Sequence, residues 1–408
     1  VIRGLSGTRV RMMQNGVGQE FYQYGVRHAA PTSLSEAERV EVVRGVSSLL
    51  YGSDALGGAI NVLTRDLPTA PEGRTHFGGQ VEADFASMND ERSGLLDLHI
   101  ARGGLGVRAG FELRDAGNLT TPGAPTFFDP NPATGRFGDP KYAGELPFTN
   151  YEQRSGYLQA GVRGDFGRVE VFGNFWESDQ NFLLPPGGPA GSTANPPLGV
   201  GIELGNVQLS AKGSIIAGST VIRPIVSFQR NTRQAADEGV TFEDATEFAV
   251  DLEKDVVTTR VEVGHRDGLG TFGAEYQRVE GRLNGRVALE PGSRVDNVAL
   301  FGLQEFQLGS TLLSVGGRAD FRRQEADPNG RTTDPDLLEQ DYFVLSGSLG
   351  LSRPLAESVT LALNVGTGFR APTIFEMFAN GVHGGVAAFQ RGNPELEAER
   401  AVSGDVAL

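Results

Sequence analysis

No cysteine occurs among the 408 residues. Its absence excludes disulfides, thiolate metal sites and cysteine nucleophiles, and it suits an oxidising compartment in which a stray thiol is a hazard. Histidine is scarce too: His28, His76, His99, His265 and His383 are the full set, and no two are close in sequence. Zinc draws several His and carboxylate ligands together, so such a site would have to be assembled from distant parts of the chain. The 36 basic residues fall short of the 51 acidic ones, and the net charge of −15 argues against a nucleic-acid partner, which needs a basic footprint. No apolar run approaches the ~20 residues of a membrane-spanning helix. The longest stretch without a charge, Gln180–Ile202, carries five prolines and reads as a loop. Neither a GxxxxGK[ST] phosphate loop nor a Ser/His/Asp or paired-carboxylate constellation stands out.

From about Arg74 onward the dominant signal is a period of two. In "VTLALNVGTGFR" (Val359–Arg370), Val359, Leu361, Leu363, Val365 and Phe369 share one face, opposite Thr360, Asn364 and Arg370. Alternation of this kind marks a strand with one apolar and one polar side. About fourteen such runs follow one another, most of them ten to fourteen residues long. Globular strands run to about 5–6 residues, whereas a tilted strand crossing a bilayer needs about 9–11.

The connections come in two alternating classes. Arg102–Leu105, Gly164–Gly167, Ala217–Ser219, Asp267–Gly270, Leu308–Ser310 and Arg353–Glu357 are short turns. Ala116–Glu152, Gln180–Leu204, Asn231–Asp255, Leu283–Ser293, Glu325–Asp341 and Ala371–Ala398 are long, polar and broken by Pro or Gly. The connection near Asn89–Glu91 is short although it falls on the long side. This rhythm is that of a transmembrane β-barrel, with short periplasmic turns and long extracellular loops. Without a spanning helix, a closed barrel is the way to satisfy every backbone group in lipid. A soluble sandwich or propeller predicts shorter strands and a single class of connection.

The first 65 or so residues have another texture. "RVEVV" (Arg39–Val43) and "AINVLTR" (Ala59–Arg65) read as strands, "SSLLYGSDALGG" (Ser47–Gly58) as a Ser-capped helical turn, and "TRVRMMQNGV" (Thr8–Val17) as a strand ending in an Asn-Gly turn. Such a small α+β unit fits inside a wide polar lumen. "ERVEVVRG", "SSLLYGS" and "GGAINVLTR", in that order at Glu38–Arg65, resemble the plug domain of the TonB-dependent outer-membrane receptors. "IRG" (Ile2–Gly4), "NGV" (Asn15–Val17), "GFRAPTIFEMFANG" (Gly368–Gly381) and "GNPELEAER" (Gly392–Arg400) are similar to further segments of that family. Val46 stands where the family usually has proline.

The resemblance implies a plug (1–70) inside a transmembrane antiparallel β-barrel (71–408) of the type with about 22 strands. About fourteen of those strands are present, so the chain reads as an internal part of a longer receptor, which should not be a functional channel alone. It further implies a place in the outer membrane among lipid and lipopolysaccharide, a small-molecule or metal-chelate substrate, coupling to TonB, no cofactor and no chemistry on the substrate. Ferric siderophore, haem and zinc lead the substrates, with cobalamin and oligosaccharide as alternatives. A passive porin would have no reason to carry Glu38–Arg65, and a barrel enzyme would need clustered catalytic groups. By the family's pattern, plug arginines Arg3 and Arg44 are expected to face barrel glutamates Glu275 and Glu305 as a latch. Tyr24, Arg27 and His28 in the plug segment Gln23–Ser33, with Phe378 and His383 in a barrel loop, are expected to meet substrate. The zinc-uptake branch of the family places a carboxylate beside a histidine in that plug segment; Arg27 replaces the carboxylate here, and His28 and His383 are the candidate metal ligands.

Overall fold

The computed structural model describes the chain except residues 1, 3, 23–29, 34, 45–47, 121–144, 185–198, 266–268, 288, 330–331 and 384–387, together with the side chains of Arg44, Ser48, Leu50, Val382, His383 and Ala388. Two bodies of structure follow the change of texture in the sequence. The first is a four-stranded sheet of β1 (Val10–Gln14), β2 (Val17–Gly18), β3 (Ala37–Arg44) and β4 (Gly58–Thr64), in spatial order β2-β1-β4-β3. Asn15 and Gly16 turn β1 into β2 with φ of 52° and 84°, the left-handed pair of a tight hairpin that Asn-Gly adopts at little cost. β1 runs parallel to β4, and β3 antiparallel to it. Between β3 and β4 lies the one-turn helix α1 (Ser48–Tyr51), shorter than the helical turn expected from "SSLLYGSDALGG"; Gly52, at φ 81°, follows it.

The second body is a 14-stranded antiparallel sheet. It starts with β5 (Thr75–Ala86), β6 (Glu91–Arg102) and β7 (Leu105–Ala116); β8 (Leu119–Thr120) and β9 (Glu145–Leu146) form a side ribbon. The wall continues through β10 (Tyr151–Gly164), β11 (Gly167–Leu183), β12 (Gly199–Ala217), β13 (Thr220–Ala235), β14 (Val250–His265), β15 (Gly270–Leu283), β16 (Ser293–Leu308) and β17 (Thr311–Ala326). Helix α2 (Pro335–Leu338) precedes β18 (Glu339–Ala356) and β19 (Val359–Arg370). Helix α3 (Ile374–Phe378) and the ribbon of β20 (Asn380–His383) and β21 (Ala388–Arg391) lie before the last strand, β22 (Glu399–Ala407). The sheet is open, with β5 and β22 at its edges. Strand length is uneven: β5, β6 and β7 have 12 residues each, β12 has 19.

The wall is inverted relative to a globular sheet. On β13 the inward Gln229 is 1% exposed and the outward Phe228 40%; on β17 Asp320 is 1% exposed and Phe321 46%. Phe77, Val81, Leu98, Val171, Leu209, Leu300 and Leu345 continue the outward apolar belt. Polar side chains turn inward and are buried because the four-stranded unit lies against them. Apolar surface pointing out over so many strands is stable against hydrocarbon, not water. No helix among the described residues is long and apolar enough to cross a membrane, so spanning is left to the strands.

Candidate functional site

Two stretches of wall hold the plug in different ways. Along β7–β13 the join is made largely by neutral amides. Asn174 Nδ2 on β11 donates to Gln14 Oε1 at 3.2 Å and to Glu36 Oε1 at 3.0 Å. Gln19 Nε2 donates to Gln208 Oε1 on β12 at 2.9 Å. Gln229 on β13 takes the Glu20 backbone N–H at 3.2 Å and returns its Nε2 to the Glu20 carbonyl at 3.1 Å, an exchange that imitates a strand pairing. Ser33 Oγ donates to Glu112 on β7 at 2.6 Å. Buried amides of this kind are stable only when bonded, so the seam fixes the plug's register on the wall. Ion pairs appear at its foot, near the short turns, where Arg65 meets Asp97 at 3.2 Å and Arg168 meets Asp66 at 3.0 Å.

Along β14–β19 the interface is charged and hollow. Arg318 holds Asp320 at 2.8 Å and Glu275 at 3.3 Å; Arg260 holds the other Glu275 oxygen at 3.0 Å. The Phe301 ring lies 4.5 Å from the Arg260 guanidinium and 5.4 Å from that of Arg318. The plug presents Arg11, bonded to its own Glu20 and Asp54 at 3.0 and 3.2 Å. Burial works against the Arg11 charge, but Glu20, Asp54 and then Glu275 outweigh it and raise the Arg11 pKa. Toward the long connections, a chamber of about 100 Å³ is lined by Arg11, Glu20, Asp54, Lys254, Glu290 and Arg322 and roofed by Thr373–Phe375. Nearer the short turns, a second space of about 300 Å³ lies between Leu49 and Tyr51 of the plug and β16–β19 with β22. Between them the contact is close. Leu49 Cδ2 is 2.3 Å from where a Gly316 side chain would begin, and the Arg318 guanidinium crosses Gly52. The upper chamber is small against the ~300–1,000 Å³ of small-molecule pockets; a chelate enters it only if the plug or its roof moves.

The roof is tied to the plug. Thr373 and Glu376 form a capping box at the start of α3, a local device that satisfies the first N–H groups of a helix. Arg370, buried at the end of β19, reaches Glu376 at 2.6 Å, Glu399 on β22 at 2.8 Å and Thr8 of the plug at 3.1 Å, while Arg9 of the plug grips Glu399 at 2.9 Å. Burial opposes the Glu376 charge, but bonds from Arg370 and Thr373 hold its pKa below the usual carboxylate value.

Of the residues singled out from sequence, Arg3, Tyr24, Arg27 and His28 lie outside the described residues, as do the side chains of Arg44 and His383. Phe378, expected to meet substrate, is 1% exposed here and packs in an apolar cluster with Val256, Val279, Val295, Ile374 and Met377, so its ring supports α3. Glu275 faces inward but bonds the wall arginines Arg260 and Arg318, with Arg11 the plug cation that acts on it. Glu305 accepts from Ser314 at 3.1 Å near the short-turn end. The plug side chains that do cross to the wall include Arg9, Gln14, Gln19, Glu36 and Arg65. Among the described residues no group of three His, Asp or Glu side chains gathers as a metal site.

The family model described as TonB dependent receptor-like, beta-barrel matches residues 98–408, and that of the TonB-dependent Receptor Plug Domain matches residues 1–59. The chain belongs to the TonB-dependent receptor family. The receptor is 34% identical over 99 residues to the iron-regulated outer membrane virulence protein of Vibrio cholerae, an alignment covering 22% of this chain and 15% of that protein. It is 32% identical over 120 residues to the vitamin B12 transporter BtuB of Vibrio vulnificus, covering 28% and 19%. Its fold superposes on the copper transporter OprC with a TM-score of 0.72 at 14% identity, over 100% of this chain and 62% of that one. The chain thus spans less than two thirds of the length of these relatives. The receptor's place is the outer membrane.

Proposed function

We propose that this chain is part of an energised importer for a scarce nutrient, a metal or metal chelate. Residues 1–70 would act as the movable plug and 71–408 as barrel, with lipopolysaccharide around its outward rim. The observation that carries this reading is the character of the plug–wall join. It is built from amides and ion pairs around hollow spaces of about 100 and 300 Å³, so a pulling force meets bonds that water can replace, not an apolar core. TonB is the partner that would supply the pull. Substrate would arrive at the long-connection end, above the chamber lined by Arg11, Lys254, Arg322, Glu20, Asp54 and Glu290. The segment holding Tyr24, Arg27 and His28, and the ribbon that ends in His383, would then complete the site. Iron and copper are favoured by the names of two relatives, and zinc by His28 and His383. Cobalamin is the second reading, favoured by the match to a vitamin B12 transporter.

The test is growth of a strain deleted for the full gene under separate limitation for iron, zinc, copper, cobalamin and glycans. A growth defect in one medium, rescued by the gene through an uptake that stops when the proton gradient is collapsed while binding persists, supports energised import. A porin would keep its flux without the gradient, and an enzyme would turn over substrate in detergent. Normal growth in every medium removes the reading.

A further inference from the structure

Among the described residues Glu36 is the one ionisable side chain bonded into the buried core of the amide seam, and nothing in the import reading requires it. It stands immediately before β3 and is 3% exposed. Its Oε1 accepts from Gln14 Nε2 and, at 3.0 Å, from Asn174 Nδ2. Both donors are neutral. The charged and titratable groups on the packed elements are engaged elsewhere. Arg11 on β1 turns to Glu20 and Asp54, Glu38 on β3 takes the Asp66 N–H, Tyr157 on β10 donates to Asp97, and Glu170 on β11 pairs with Lys212. The charged group that acts on Glu36 is Glu112 on β7, which has the same sign. A carboxylate buried without a cation and facing another carboxylate is expensive to keep ionised. Among the described residues Asn174 Oδ1 has no partner and is buried in the same place, an acceptor suited to the hydroxyl of a protonated neighbour.

We propose that Glu36 is a proton-operated latch: its acid form docks the plug on the β7–β11 wall, and its carboxylate form loosens that docking. Burial outweighs the bonds from Asn174 and Gln14 and, with a smaller push from the like charge of Glu112, raises the Glu36 pKa from 4.5 to about 7. The sign follows from linkage. The docked state binds the proton more tightly than the undocked one, so docking is strongest at acid pH. It weakens as pH rises from about the undocked value toward the docked one, then levels off. Each unit between the two values is worth about a factor of ten in the docking equilibrium. The carboxyl therefore titrates in the range where bacteria live, at the seam that sets the plug's register on the wall.

The test needs no substrate, so its failure is distinguishable from failure of the import reading. Infrared spectra of the full receptor in lipid bilayers, wild type minus Glu36→Gln, isolate the protonated carboxyl band of this residue. The band should vanish on alkaline titration with a midpoint near neutrality. Amide exchange of residues 10–14 and 37–44, corrected for the chemical rate, should quicken across the same midpoint by about tenfold or more, and stay slow at all pH in Glu36→Gln. A midpoint below about pH 5, the ordinary carboxyl range, or exchange indifferent to the titration, overturns the proposal. Should Glu36→Gln fail to assemble, Glu112→Gln serves. Removing the facing charge moves the midpoint toward acid, and an unmoved midpoint assigns the band to another carboxyl and overturns the proposal equally.

Discussion

The wall β7–β13 and the wall β14–β19 are the same kind of sheet, yet they meet the plug by opposite physics. On the first, Gln208, Gln229 and Asn174 of the wall bond Gln19, the Glu20 backbone and Gln14 of the plug. Each bond is worth little net and is directional, so together they fix position without great strength. On the second, Arg318, Asp320, Glu275 and Arg260 mostly bond one another, and the plug rests beside them across two hollow spaces. The difference teaches that a plug can be registered by one side and freed along the other.

Tethering offers the sharpest contrast. The chain has no cysteine, so introduced pairs report without background. A short bifunctional thiol reagent joining Leu49→Cys to Gly316→Cys is expected to abolish uptake by the full receptor, because it closes the gap between the two spaces. The same reagent joining Gln14→Cys to Asn174→Cys is expected to leave much of it. Equal loss from both would erase the asymmetry.

Stability should split the same way. Arg318→Ala leaves Asp320 and Glu275 as buried charges short of a partner and should cost on the order of 3–5 kcal/mol in thermal or denaturant unfolding in detergent. Asn174→Ala, which strips an amide from the seam, should cost about 1–3 kcal/mol. Thr373→Ala removes the cap of α3 and should cost about 1 kcal/mol, read as faster exchange of residues 374–378 while the seam is unchanged. The smallest effect is acid sensitivity of the roof. The Glu376 pKa is depressed in the fold, so its tie to Arg370 contributes fully above the unfolded carboxyl value near ~4.3. It is lost as pH falls through the lower folded value. Exchange at α3 should rise only there, and not in Glu376→Gln.

Much of the fold was legible because its signals are local. Period-two alternation is carried by each strand alone, and about fourteen runs read from sequence correspond to fourteen strands in the sheet. Asn15-Gly16 announced its hairpin by backbone preference. Thr373 and Glu376, at capping-box spacing, could have revealed α3 inside a segment read as loop. The contacts between plug and wall were not legible. Whether Arg9 or Arg3 finds a carboxylate depends on how one body is rotated inside the other, and alternation fixes only which residues point inward. Phe378 shows the same limit, since an aromatic in a polar-looking connection gives no sign of whether it faces out or is folded under its own helix.

The uneven strands have a geometric consequence. At ~3.3 Å per residue and ~45° of tilt, the 12 residues of β5, β6 or β7 climb about 28 Å, close to the ~30 Å of hydrocarbon, and the 19 residues of β12 climb about 44 Å. The parapet therefore slopes. It stands well clear of the lipid at β12 and sinks almost level with it at β5–β7. A bulky solute drifting along the cell surface meets a lower wall of strand at β5–β7 than three strands further on, at β12.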